Sequence, residues 1–163
     1  VVEAARAIRC GEGSIFMIYL PLHFGDVLAL ATDPPAVAAR GHGETILLVD
    51  DEQALVCLGE EMIASLGYEP VGFTSSSRAL ETFAADPGRF DAVLSDEAMP
   101  ELTGSELASA VHRIRPEIPI VLMSGYVTPA LSARSRRAGV IEVLSKPLVS
   151  NDISRSLANA LQR

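Results

Sequence analysis

Residues 45–67 read TILLVDDEQALVCLGEEMIASLG. Thr45–Val49 is a continuous apolar run, two aspartates follow, and then Leu55, Leu58, Met62 and Leu66 recur at helical spacing before Gly67, which is placed to stop a helix. A strand without polar alternation is buried on both faces. A buried strand that feeds an amphipathic helix through a short acidic turn is the opening of a β/α unit.

The same alternation continues to the C-terminus. Tyr68–Phe73 reads as a second strand, and Ser75–Ala85 as a helix entered through a serine cluster and closed before Pro87-Gly88. Ala92–Ser95 is a third strand. Gly104–Arg115 is a third helix, with Leu107, Ala110, Val111 and Ile114 on one face and Pro116 at its end. Ile118–Met123 is the most apolar strand and is expected at the centre. Pro129–Ala138 reads as a weaker helix, with Pro at its first turn and Gly139 after it. Val140–Leu144 is a fifth strand, and Asp152–Leu161 a last helix presenting Ile153, Leu157, Ala160 and Leu161 to the core. Five such units predict an α/β fold: a doubly wound, five-stranded parallel sheet, flavodoxin-like, in the order 2-1-3-4-5, with helices on both faces. Ligands of such a sheet sit at the carboxyl ends of its first and third strands.

Those ends carry the chemistry. The first strand ends in Asp50-Asp51, the third in Asp96 and the fourth in Ser124-Gly125, and Lys146-Pro147 follows the fifth. Taken singly, Asp50-Asp51 could cap the first helix and Asp96 could be an acidic loop residue. Together they place three carboxylates, a hydroxyl and an ammonium on one rim. Carboxylates about 4 Å apart repel by roughly 4 kcal/mol at an effective dielectric near 20, so the cluster is expected to bind a cation or hold protons. Hard oxygen donors suit Mg²⁺, and a metal beside a lysine describes a phosphoryl site. Lys146 is the only lysine, among 12 arginines in a Lys+Arg total of 13. A compact, flexible ammonium suits a small phosphoryl group.

Composition bounds the partners. At 163 residues and 48% hydrophobic, the chain holds one domain with a real core and a remnant. A net charge of −8 argues against nucleic acid, which needs clustered Lys and Arg. Only Arg134, Arg136 and Arg137 cluster, as a solvated helix face would. Cys10 and Cys57 suggest reduced thiols, with Cys57 a small core residue, and His23, His42 and His112 share no metal-ligand spacing. Cytoplasmic placement follows from this reading, with a parent protein free to be membrane-attached.

The motifs VDDE at 49–52, SDEAMPELTG at 95–104, LMSGY at 122–126 and LSKP at 144–147 resemble the response-regulator receiver family, in order and at family spacing over residues 44–163. The resemblance implies a phosphorelay receiver that takes phosphate from the phosphohistidine of a histidine kinase or phosphotransfer protein. It makes Asp96 the phosphoacceptor, with Ser124 and Lys146 on the phosphoryl oxygens. Asp50, Asp51, Asp96 and the backbone carbonyl of Ala98 would hold Mg²⁺, and the Lys146–Pro147 bond would be cis. Val143 stands where the family often carries an aromatic switch. The positions of Ala98 and Tyr126 line the path of attacking water in the family. A methyl group and a ring there imply slow loss of the phosphate.

GEGSIFMIYLP (11–21) resembles the last hairpin of a histidine-kinase ATP-binding domain. On that resemblance residues 1–25 are the remnant of such a domain, 26–43 a linker, and the parent a hybrid histidine kinase. The apolar run Ile15–Phe24 is shorter than the roughly 20 residues a spanning helix needs, so no membrane contact is expected of it. An orphaned hairpin can pair with a second copy, which allows a homodimer. Two other function classes compete. One is a phosphorylation-independent docking module of the same fold, against which the intact acidic pair, Asp96 and Lys146 argue. The other is a haloacid-dehalogenase-like phosphatase, which needs a second Asp where Ala98 stands. The receiver itself would be a phosphoacceptor and not a turnover enzyme.

Overall fold

A computed structural model describes residues 4–8, 14–18 and 40–162. The chain divides into two compact units, Val1–Ala36 and Val37–Arg163. In the first, β1 (Ala4–Ile8) and β2 (Ser14–Ile18) pair antiparallel, Ala4 opposite Ile18 and Ile8 opposite Ser14. Residues 11–13, expected as a GxG turn, and residues 26–39 of the expected linker lie outside the described residues.

The second unit alternates strand and helix. Its elements are β3 (Thr45–Val49), α1 (Gln53–Ser65), β4 (Glu69–Phe73), α2 (Ser76–Ala85), β5 (Ala92–Asp96), α3 (Gly104–Ile114), β6 (Ile120–Ser124), α4 (Pro129–Arg137), β7 (Glu142–Ser145) and α5 (Ser150–Leu161). The five strands are parallel in the order β4-β3-β5-β6-β7, which is the 2-1-3-4-5 order of a doubly wound sheet. Side chains alternate across each strand. Leu47, Val49, Val93, Ile120 and Leu122 therefore meet Phe83 of α2 and Leu107 and Val111 of α3 on one face. Ile46, Leu48, Leu94, Val121 and Met123 meet Val56 and Ile63 of α1 and Ile153 and Leu157 of α5 on the other. With both faces covered, β3, β5 and β6 are buried almost throughout, as their unbroken apolar runs require.

Three side-chain expectations are corrected. The inward stripe of α1 is Val56 and Ile63, while Leu58 is 52% exposed. The cause is Gly59, which lies so close to the sheet that a Cβ there would sit 2.7 Å from Leu48 Cδ2. The helix turns its bare position to the sheet, and Leu58 rotates outward. Cys57 is carried outward with it and is exposed, not a core residue. Ile114 is 41% exposed because α3 ends there, beyond its buried face of Leu107, Ala108, Ala110 and Val111. At the other end, Gly41 and Gly43 donate backbone hydrogen bonds to Leu66 O at 2.9 Å and Gly67 O at 3.0 Å. The last residues of the expected linker are thereby part of this unit.

Candidate acceptor site

Each functional side chain leaves the sheet at a strand's carboxyl end. Asp50 follows β3 and is 2% exposed, its N–H donating to Phe73 O at 3.1 Å. Asp96 closes β5 at 5% exposed, Ser124 closes β6 at 8%, and Lys146 follows β7 directly. The Lys146 N–H donates to Ser124 O at 2.9 Å, which fixes β7 and its lysine to the end of β6. The Lys146–Pro147 peptide is cis.

The ammonium of Lys146 joins the two buried carboxylates. Its Nζ lies 2.8 Å from Asp50 Oδ2 and 2.7 Å from Asp96 Oδ1. The second oxygen of each carboxylate takes a backbone donor: Glu52 N–H to Asp50 Oδ1 at 3.0 Å, and Ala98 N–H to Asp96 Oδ2 at 2.6 Å. Partial burial works against the charged form of Lys146, but the hydrogen bonds and charges of Asp50 and Asp96 outweigh it and raise its pKa above the usual lysine value.

The rim differs from the expected convergence of three carboxylates. Asp51 is exposed, and among the described residues no three acidic, histidine or cysteine side chains are drawn together at metal-ligand spacing. The physical reason is Lys146: its charge compensates Asp50 and Asp96, and Asp51 remains in solvent, where its own charge is well solvated. Ser124 is also engaged, its Oγ accepting from Tyr126 N–H at 3.2 Å and donating to Tyr126 O at 3.1 Å. Tyr126 itself is 86% exposed, so its ring does not cover Asp96 in this arrangement. Ala98 is exposed as well.

Sequence reading missed Glu97. It is 5% exposed, and its Oε2 accepts from both the N–H (2.9 Å) and the Oγ (2.8 Å) of Ser105, at the start of α3. Its Oε1 pairs with Arg134 of α4. Nothing local in the sequence announces a partner 37 residues away.

The donor set fits a hard divalent cation. The two buried carboxylates, Asp50 and Asp96, against the one ammonium of Lys146 leave one negative charge uncompensated between them, with Asp51 next in sequence and exposed. Mg²⁺ needs only one or two carboxylates beside water and phosphate oxygens.

Comparison with known proteins agrees with this fold. Residues 46–158 match the family model described as response regulator receiver domain. The sensor kinase CckA of Brucella abortus is 28% identical over 162 residues, 94% of this chain and 17% of that protein. The DNA-binding transcriptional regulator NtrC of Azospirillum brasilense is 31% identical over 117 residues, 72% of this chain and 24% of that protein. The chain thus spans less than a quarter of the length of either relative. A crystal structure of a response regulator receiver domain protein from Clostridium thermocellum superposes with a TM-score of 0.70 at 26% identity, covering 74% of this chain and 95% of that one.

Proposed function

The chain belongs to the response regulator receiver family of two-component signalling, and on that premise we propose that Asp96 accepts a phosphoryl group from the phosphohistidine of a histidine kinase or phosphotransfer protein. One observation carries this reading: Asp96 is a buried carboxylate at a strand end with one oxygen on an ammonium 2.7 Å away. A buried carboxylate needs compensation to stay ionised, and an ionised oxygen is the nucleophile that phosphoryl transfer requires. An Asp96 oxygen forms the new O–P bond as the P–N bond to the donor's imidazole breaks, and the electron pair leaves with the imidazole.

Lys146 is placed to exchange its carboxylate contacts for a phosphoryl oxygen, and the Oγ–H of Ser124 to exchange Tyr126 O for another. Both donors would then meet the charge that develops during transfer. Receiver domains generally bind Mg²⁺. Here Asp50, Asp51, Asp96 and the Ala98 carbonyl would hold it, and it would offset the phosphoryl charge. Asp51, now in solvent, would have to turn inward to take part.

The parent protein is a hybrid histidine kinase in this reading, with residues 1–25 the end of its ATP-binding domain and the receiver at the cytoplasmic side. The extent of the matches supports it: the sensor kinase aligns with 94% of this chain, whereas the transcriptional regulator aligns with 72%. Among the described residues no helix is long and apolar enough to cross a membrane.

The test is acetyl phosphate with Mg²⁺, followed by intact-mass measurement. Wild type is expected to gain one phosphate, and Asp96→Asn, nearly isosteric, to gain none while melting cooperatively. Labelling of Asp96→Asn at normal stoichiometry would refute the assignment. Turnover of acetyl phosphate without accumulation would indicate a phosphatase instead, and no reaction with wild type a docking module.

A further inference from the structure

We propose that the Glu97–Arg134 pair restrains α4 in the unphosphorylated arrangement, and that loss of this restraint favours phosphoryl binding at Asp96. The inference rests on the acceptor reading above and assigns both residues as positioning residues.

The front of α4 is tied to the acceptor site through Ser124. Its Oγ holds both the N–H and the carbonyl of Tyr126, two residues before Thr128, whose side chain caps α4 by accepting from Leu131 N–H. A serine hydroxyl has a single proton. When that proton turns to a phosphoryl oxygen it leaves Tyr126 O, and the segment leading into α4 loses a fastening. The back of the helix is pinned independently, with His112 Nδ1 2.8 Å from Ala138 O. Helix α4 is therefore placed to pivot about its C-terminal end.

Packing does little to oppose such a movement. The buried residues of α4 are Leu131 and Ser135, and the buried Oγ of Ser135 has no hydrogen-bond partner among the described residues. A buried polar group without a partner marks an arrangement that is not optimal for that helix. Among the described residues, the side-chain tie from the middle of α4 to another element is Arg134 on Glu97.

Glu97 cannot follow the helix. Its N–H donates to Met123 O at 2.9 Å and its carbonyl accepts from Gly104 N–H at 3.1 Å, while Ser105 occupies the other carboxylate oxygen. Arg134, with 57% of its side chain exposed, is the partner free to leave. The pair is thus a polar link from the residue after Asp96 to the middle of α4, separate from the Ser124 link at its front. If the pair opposes a shift that phosphoryl binding needs, linkage requires its removal to strengthen that binding by the same factor.

The experiment uses the 163-residue chain as wild type, Arg134→Ala and Glu97→Gln, with beryllium fluoride plus Mg²⁺ as the phosphoryl mimic. Hydrogen exchange of residues 129–137 reads the restraint, and titration of beryllium fluoride reads the coupling. Arg134→Ala is expected to speed α4 exchange about tenfold without the mimic and to bind the mimic about fivefold more tightly. Glu97→Gln keeps acceptors for Ser105 and should shift both in the same direction by less. A merely structural loss would weaken mimic binding. Unchanged exchange in Arg134→Ala overturns the restraint, and faster exchange with equal or weaker binding overturns the coupling. If wild type binds no mimic while Arg134→Ala still exchanges faster, the acceptor reading fails and the restraint stands.

Discussion

Helices α3 and α4 flank the same acceptor loop, yet they are held by different means. Helix α3 buries Leu107, Ala108, Ala110 and Val111, together with Gly104 and Ser105 at its start. Thr103 and Glu106 close a reciprocal capping box at its N-terminus, and Ser105 ties it to Glu97. Helix α4 buries Leu131 and Ser135, carries Arg134, Arg136 and Arg137 in its last turn, and has a single side-chain cap from Thr128. Apolar burial fixes an element in place, whereas polar ties can be exchanged for others of similar strength. One side of the site is scaffold, and the other is built to respond.

The largest expected effect that could break this contrast is on stability. Leu107 is fully buried, and Leu107→Ala should cost about 3–5 kcal/mol, the upper range for a leucine whose cavity cannot collapse. Leu131→Ala, under a helix with little else to disturb, should cost about 2 kcal/mol or less because α4 can settle into the space. Urea unfolding at constant slope checks both. Equal losses would mean that α4 is packed as rigidly as α3.

A smaller effect separates the two buried serines. Ser105→Ala removes one of two Ser105 donors from the buried Glu97 carboxylate and should cost roughly 1–3 kcal/mol. Ser135→Ala removes a hydroxyl that has no partner and should be neutral or stabilising by up to about 1 kcal/mol. Opposite signs in the same unfolding measurement would sharpen the contrast. A loss of 1 kcal/mol or more for Ser135→Ala would show that its hydroxyl is satisfied in solution.

The scaffold was legible in the sequence, and so were the residues at its strand ends. Buried parallel strands announce themselves as unbroken apolar runs, and a doubly wound sheet then dictates that Asp50, Asp96, Ser124 and Lys146 share a rim. What could not be read depended on distances between elements. The inner face of α1 was misjudged because Leu58 is as apolar as Val56, and only the close approach at Gly59 decides which turns inward. Asp51 was expected beside its neighbour, but Lys146, three strands from Asp50 and two from Asp96, pairs with those two and leaves Asp51 in solvent. Glu97 gave no signal, since an acidic residue beside an acidic site reads as more of the same until Ser105 and Arg134 are seen to meet it.

The smallest effect concerns Asp51. Its neighbour Glu52 is the N-cap of α1 and makes no side-chain cap, and the Asp50 carboxylate accepts the Glu52 N–H, so removing the Asp51 carboxylate takes no cap from α1 among the described residues. What remains is repulsion from Asp50 and Asp96, already offset by Lys146 and screened over a Debye length of about 10 Å at 0.1 M salt. Asp51→Ala should therefore stabilise the metal-free protein by no more than about 0.5 kcal/mol, and by less at high salt. Magnesium should reverse the order. An ion that binds only the folded chain stabilises it in proportion to the logarithm of its concentration over Kd, and the variant lacks one proposed ligand. Thermal melts with and without Mg²⁺, at low and high salt, decide the matter. A clear loss of stability without metal would show that Asp51 supports α1, and an equal gain from Mg²⁺ in both proteins would remove Asp51 from the proposed metal site.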